Sequence, residues 1–414
     1  MAGDSSVKSF KDIRRAAAGE RKGTQLVIVS AQLLAAVIPV LQENPAQVCL
    51  VASEKASEDG SVARLEGLLK RWGFEVGVAR GCPDNDMEAI RGFATRVISK
   101  LTGFPGCGEL VFNLTGGNKL MSFGFMAALE NALGKDGCRV IYTDTANARI
   151  EQIAPVFASQ PMRDLLGVEE YLRVQGFDVS SSSSDEASWR EKVTNREQLT
   201  ADLARCVADR SSRADLPQLN RAGSDALDRR NNLAAPRQSL AEALQDSTVE
   251  VLNRMAQFSL LKWVPGKLQI EFLTADAARF LSGGWLEEYA WNVFNRCELF
   301  DVGCSVEGVW AAKGGQLPSN EFDAVAVHAN RMLLVECKTA RMIGEHIEQK
   351  GQDVFTKLDS LGHRAGGAMV GLVLLSANPL RSADQRRYEN AGISILTGPD
   401  IMKFEDVVRG WKQD

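Results

Sequence analysis

The chain has 414 residues, 45% of them hydrophobic and 24% charged, with a formal net charge of −5. That length is long for one core and comfortable for two domains. The acidic balance excludes a generally basic nucleic-acid coat and leaves room only for local basic patches. The eight cysteines include no CxxC pair, and Cys49, Cys138 and Cys337 lie in or beside apolar strand-like runs. They are expected as buried thiols in a reducing cytoplasm, not as a disulfide frame or zinc site. The start "MAGDSSVKSFKDIRR" lacks an apolar h-region and no run is apolar enough to span a bilayer, so a cytoplasmic protein without membrane contact is expected.

From Gln25 strand and helix signals alternate. "LVIVS" (26–30) precedes a helical "AQLLAAVIPVLQEN", then "QVCLVAS" (47–53), an amphipathic helix around 61–72 and a strand "FEVGVA". A helix from Asp86, a strand "ELVFNLT", a helix from Lys119 to Leu133 and "CRVIYTD" follow. Short β-branched strands separated by helices of this length predict a doubly wound parallel sheet, with ligands at the carboxyl ends of its strands. The serine run 180–184 is expected as a solvated break, and the polar, arginine-rich stretch from about Arg205 to Asp246 as a helical connector with flexible parts. The expected partition is therefore a first α/β domain 1–165, a polar helical connector 166–250 and a second α/β domain 251–414. The second domain starts with a helix and "KWVPGKLQIEFL", whose Pro265-Gly266 predicts a hairpin tip.

Chemistry concentrates in "NEFDAVAVHANRMLLVECKTA". Two strands are expected, 322–327 and 332–339, joined by the turn-like "HAN". Side chains alternate along a strand, so Glu336 and Lys338 share a face, and the hairpin can bring Asp323 to the same edge. Two hard carboxylates suit Mg²⁺ or Mn²⁺, which polarises a phosphate and lowers the pKa of bound water, while the lysine offers a point charge. An intrastrand Glu–Lys pair on a solvated face is the alternative. Upstream, "GGWLEEYAWNVF" predicts a helix with Leu286, Tyr289, Ala290, Val293 and Phe294 as its apolar stripe. Glu287 lies beside that stripe and is the candidate third carboxylate, whereas Glu288 is expected to face water. Downstream, a helix over 345–361 carries Gln352, Asp353 and Lys357, with a solvated Asp353–Lys357 pair as the alternative to a role at a phosphate. His328, His346 and His363 share no metal-ligand spacing, and His346 is a candidate nucleic-acid contact.

A second motif is "NLTGGNK", where an apolar strand ends and a helix begins. Bare glycines admit a ligand to the main chain, helix N-terminal N–H groups favour anions, and Lys119 adds positive charge. The loop matches neither Walker A nor GxGxxG, which leaves an ATPase or dehydrogenase without support. Structural capping is the alternative reading.

The D-x(12)-E-x-K arrangement resembles the PD-(D/E)xK, restriction-endonuclease-like nucleases, and a Rossmann-like sheet with "NLTGGNK" resembles the CARF sensors of cyclic oligoadenylates in type III CRISPR defence. With "GGWLEEY", "NEFD", "LLVECKT" and "FTKLDSLG" in order, the chain is similar to CARF–nuclease fusions, the CRISPR ancillary nuclease family. The resemblance covers roughly 25–165 and 251–414. It implies a homodimer with cyclic tetra-adenylate on the two-fold axis of the paired sensor domains. It also implies metal-dependent hydrolysis of DNA, RNA or both by centres flanking a cleft that closes on nucleotide binding. Thr115, Gly116, Gly117, Asn118 and Lys119 match the family's phosphate and ribose loop. Ser30 and Gln32 match a second ligand-facing loop, with Asp144 and Thr145 at a further carboxyl-end position. Glu287, Asp323, Glu336 and Lys338 match the nuclease centre, Glu287, Asp323 and Glu336 as metal ligands, and Lys357 lies on a helix that often positions phosphate or water. Two other readings stay open: a ring nuclease that degrades its own cyclic nucleotide, and a nucleotide-responsive transcription regulator using "KWVPGKLQIEF" as a winged element.

Overall fold

The computed structural model describes residues 21–311, 319–339, 347–366 and 369–413, apart from the side chains of 347–351. The chain divides into two compact units, Met1–Phe177 and Asp178–Asp414.

In the first unit the expected strands form as β1 (Thr24–Ile28), β2 (Gln47–Ala52), β3 (Glu75–Arg80), β4 (Leu110–Asn113) and β5 (Arg139–Asp144). All pair in parallel, because each connection is a helix that returns the chain to the same end of the sheet. Two antiparallel strands unread in the sequence, β6 (Arg149–Ala154) and β7 (Phe157–Pro161), complete the order β3-β2-β1-β4-β5-β6-β7. β6 is only partly buried and β7 is exposed throughout, and neither carries an apolar run to betray it. Leu26, Ile28, Val51, Ile90, Phe112 and Phe125 fill one face of the sheet. β1 lies between β2 and β4, so the loops leaving β1 and β4 diverge there, which is the topological switch point of such a sheet.

The second unit is built on a six-stranded mixed sheet, β16-β15-β14-β13-β12-β8. Its strands are β8 (Phe177–Ser182), β12 (Asp301–Trp310), β13 (Ser319–His328), β14 (Arg331–Lys338), β15 (Val370–Ser376) and β16 (Ser394–Thr397). A small sheet of β9 (Arg237–Ser239), β10 (Leu261–Trp263) and β11 (Gln269–Phe272) includes the expected hairpin about Pro265-Gly266, with Gly266 at φ 79°. β12, β13 and β14 form an antiparallel meander, and β14 to β16 run parallel.

Two expectations differ from this structure. The serine run is not a solvated break. Its first residues belong to edge strand β8, where the Ser180 hydroxyl donates to the Glu307 carbonyl at 3.2 Å and Ser184 Oγ accepts from the Cys304 N–H at 3.2 Å. Serine hydroxyls here add side-chain bonds that fasten the edge strand and the turn after it to its neighbour β12. The stretch 166–250 is also not a separate connector. Leu199, Leu203, Cys206, Val207, Leu216 and Leu219 are buried in one core with Leu286, Val293, Phe294 and Val335. Their spacing of three to four residues makes one apolar stripe, and the arginines that coloured the composition lie on the remaining faces. All eight cysteines are buried and free.

Candidate active site

The carboxylates are delivered by the meander and one helix. A π-turn, Phe280–Gly284, leads into the Trp285–Arg296 helix, which lays Leu286, Ala290 and Val293 into the core. Gly283 sits at φ 152°, and a Cβ there would meet Thr339 Oγ1 at 2.6 Å, so only glycine admits this approach to the end of β14. Asp323 and Glu336 point from adjacent antiparallel strands to the same edge and are 7% and 3% exposed. Lys338 Nζ lies 3.3 Å from Asp323 Oδ2 and 2.6 Å from Glu336 Oε1. Lys357, on the Ile347–Ala365 helix, reaches Glu336 Oε1 and Oε2 at 3.2 and 3.1 Å. Asp323 Oδ2 further accepts the Cys337 N–H at 2.7 Å, which ties its orientation to the β14 backbone.

Electrostatics mark this cluster as short of positive charge. Burial and then the Asp323 charge push the Glu287 carboxyl up to about 8, against a hydrogen bond from Ser305 Oγ at 3.0 Å. Asp323 is raised by burial and by Glu336. Glu321, two residues earlier on the same face of β13 and opposite Glu307, is raised by partial burial and by Asp323. Burial opposes the Lys338 ammonium, yet Asp323 and Glu336 hold it above the ordinary lysine range. Four carboxylates thus face two ammonium groups. Among the described residues, no three acidic, histidine or cysteine side chains converge closely enough to hold a metal ion as placed. The Lys338 ammonium stands between Asp323 and Glu336 and supplies the positive charge there. As a donor set, buried hard oxygens with uncompensated charge fit a divalent cation.

Elsewhere along the sequence, Asp353 and Gln352 are exposed while Lys357 turns to Glu336, and His363 is exposed with Nε2 3.6 Å from Asp359. His346 lies outside the described residues, as does the start of the expected helix 345–361.

The other loops meet at the switch point of the first unit. Gly116 packs on the end of β1, where a Cβ would lie 1.8 Å from the Ile28 carbonyl oxygen, and Gly117 has φ 73°. The same Cβ would be 3.7 Å from the Ser30 N, so the loops bearing Ser30–Gln32 and Thr115–Lys119 adjoin. Thr115 Oγ1 donates to Asn113 Oδ1 at 2.6 Å and accepts the Thr143 N–H at 2.8 Å, which spends its hydroxyl on joining β4 to β5. Asn118 caps the Lys119–Leu133 helix by accepting the Met121 N–H at 2.9 Å and donates to the Asp84 carbonyl at 2.6 Å. Gly117, Asn118, Lys119 and Gln32 are exposed, and Ser30 and Thr145 are half-buried. Asp144 is engaged with Asn147 and Arg149 across the β5–β6 turn. Those partners lower its pKa, the Asn147 amide most.

Residues 274–414 match the family model of the Card1-like endonuclease domain. That stretch is similar to the endonuclease domain of Card1-like proteins. Over 98% of its length, and all of the other chain, this chain superposes on Can2 from Sulfobacillus thermosulfidooxidans in complex with cyclic tetra-adenylate, with a TM-score of 0.70 at 20% identity. Protein VC1899 from Vibrio cholerae superposes over 94% of this chain and 98% of its own, with a TM-score of 0.75 at 17% identity. These likenesses establish the fold, a two-unit α/β architecture shared over nearly the whole chain. The comparison with curated protein sequences gives no match.

The second unit also contains a feature that corrects the sequence reading. Glu288 does not face water. It is 6% exposed and receives Arg196, itself 3% exposed, through Nε to Oε2 at 2.7 Å and Nη2 to Oε1. Arg196 Nη1 continues to Asp276 Oδ2 at 2.7 Å, and Lys192 completes the chain at 2.5 Å. Taken alone, the helix stripe placed Glu288 on the far side, but the helix is covered there too, by the Glu197–Ala208 helix and the residues before it. Burial raises the Glu288 carboxyl, with Arg196 opposing. Truncating Arg196 to alanine leaves this carboxylate buried and unpaired, and is expected to cost about 3–5 kcal/mol in a urea unfolding experiment. A loss below ~1 kcal/mol would show the pair to be solvated. Arg196, Ser305 and Glu321 were not found from sequence. "NEFD" itself offered the one available signal, since Glu321 and Asp323 are spaced to share a strand face.

Proposed function

We propose that this chain is a metal-dependent endonuclease switched on by a cyclic oligoadenylate, cyclic tetra-adenylate in the first instance, in type III CRISPR defence. The observation that carries the reading is the convergence of Asp323, Glu336 and Lys338 at 3.3 and 2.6 Å inside a domain of endonuclease type. Glu287, Asp323 and Glu336 are the residues that would hold Mg²⁺ or Mn²⁺. That cation, when bound, polarises the scissile phosphate and acidifies a water. Lys338 then serves as a point charge beside the attacking water, and Lys357 orients Glu336 from its other side. Among the described residues no base-reading element accompanies the site, and cleavage of DNA or RNA with little sequence preference is the expected outcome.

The regulatory half of the proposal rests on the switch-point loops. Ser30, Gln32, Gly116, Gly117 and Lys119, at a helix N-terminus capped by Asn118, suit phosphates, with Thr115, Asp144 and Thr145 supporting the loop walls. Leu120 and Phe123, 40% and 62% exposed on the helix that starts at Lys119, favour pairing with a second copy beside that site. A nucleotide spanning both copies activates only if it binds the cleavage-competent arrangement more tightly than the resting one.

The test is incubation of the full chain with supercoiled plasmid and labelled RNA, with and without Mn²⁺ and cyclic tetra-adenylate. Breakage that needs both is expected. Consumption of the nucleotide without polymer breakage would replace the proposal with a ring nuclease, and a gel shift alone with a regulator. At limiting Mn²⁺ the rate should climb from pH 6 to pH 8. Below its value of about 8 the Glu287 carboxyl holds a proton that competes with the cation, and above it the ionised ligand is free to bind. A flat profile over that range would remove Glu287 from the ligand set.

A further inference from the structure

Catalytic strand β14 ends at Lys338, and the residue after it is held from several sides. The Thr339 carbonyl accepts Asn378 Nδ2–H at 2.8 Å and Asn220 Nδ2–H at 3.1 Å. Thr339 Oγ1 donates to the Ser282 carbonyl at 3.4 Å, in the π-turn ahead of the Glu287 helix. One residue back, the Lys338 carbonyl accepts the Ala377 N–H at 2.8 Å.

Both amides are themselves fixed. Asn378 is buried, and its N–H meets Ser376 Oγ at 3.3 Å while that hydroxyl donates to the Asn378 carbonyl at 2.8 Å. Asn220 sits on the Leu216–Asp225 helix, which presses on the π-turn at Gly223. A Cβ at Gly223 would lie 2.6 Å from the Ala278 carbonyl oxygen and 2.7 Å from the Ser282 N. Asn220 and Gly223 are three residues apart and share a helix face, so this close seat sets how far the amide reaches. Asn220 lies outside the matched stretch 274–414, so the contact comes from a segment preceding the recognised domain.

A main-chain carbonyl has two acceptor positions, and two amide donors fill both. Rotation of the backbone at 339 would break both bonds at once. We propose that Asn220 and Asn378 are positioning residues for Lys338: by filling the Thr339 carbonyl they fix the end of β14, and with it the seat of Nζ between Asp323 and Glu336. This rests on the reading of Lys338 as catalytic. Neither amide touches the reacting groups.

The test compares Asn220→Ala, Asn378→Ala, their double variant and Lys338→Ala in the nucleotide-activated, Mn²⁺-loaded full chain, with thermal melting alongside. Each single change is expected to lower kcat roughly tenfold, with KM and nucleotide affinity unchanged. The double variant should lose more than the product of the singles, because the carbonyl then has no donor at all. Asn220→His, which keeps an N–H at the same distance from the main chain, should recover most of the rate, and Asn220→Asp, equal in size without the donor, should not. Full kcat in the double variant while Lys338→Ala is inactive overturns the positioning role, as does a loss that merely tracks the unfolded fraction. Normal turnover by Lys338→Ala overturns the catalytic reading itself, and the positioning role with it.

Discussion

Replacing Glu336 by glutamine is expected to lower nucleotide-activated cleavage by about 10³-fold or more, and Lys338→Ala by roughly 10²- to 10³-fold. Glu336 is the most connected group of the centre, bound by Lys338 at 2.6 Å and by both contacts of Lys357. Glutamine keeps its shape and removes the charge that a cation or an activated water requires. Folding should survive the change. Asp323 is held up by burial and by the Glu336 charge, so removing that charge relieves a repulsion between two buried carboxylates. Cleavage rates, nucleotide affinity and melting temperature measured together decide the matter. Retention of the rate to within tenfold in both variants would refute the site, whereas a melting temperature equal to or above that of the parent with cleavage gone would support it.

Gly116→Ala is expected to abolish activation by the nucleotide, weakening its binding by more than about 10²-fold. The added carbon would fall 1.8 Å from the Ile28 carbonyl oxygen and 2.9 Å from its carbon, both main-chain atoms of a central strand that cannot yield. The loop must therefore leave its seat at the end of β1. Lys119→Ala removes only one exposed charge from the same loop and should weaken binding roughly tenfold, the worth of a single charge-assisted contact. Calorimetric titration with cyclic tetra-adenylate measures both. If Gly116→Ala disrupts the loop while Lys119→Ala binds with the parent's affinity, the glycine turn is structural capping and the phosphates sit elsewhere.

Much of this arrangement was legible before any coordinates. The parallel strands up to Asp144 declared themselves by β-branched runs between amphipathic helices, and "NEFD" and "LLVECKT" by charges interrupting apolar strands. The hairpin geometry that brings Asp323 to Glu336 follows from strand alternation and a short turn, both local properties. Lys357 was one of three polar candidates on its helix, and only the structure separated it from Gln352 and Asp353. Glu288 was misread because helical periodicity describes one apolar stripe, and a helix covered on more than one side hides polar residues that find a buried partner. The stretch before Val251 was misread because composition averages over faces that packing distinguishes.

By itself the sequence determined the order of strands and helices as far as Asp144, the glycine turn at the end of β4 and the spacing of Asp323, Glu336 and Lys338. Each of these depends on interactions among residues near in the chain, where the periods of helix and strand apply. Only the tertiary structure decided that Arg196 reaches Glu288 across 92 positions, and that Asn220 reaches the Thr339 carbonyl across 119. Such pairings are chosen by which surfaces pack together, and the energy that selects them comes from burying those surfaces and satisfying the polar groups caught between them.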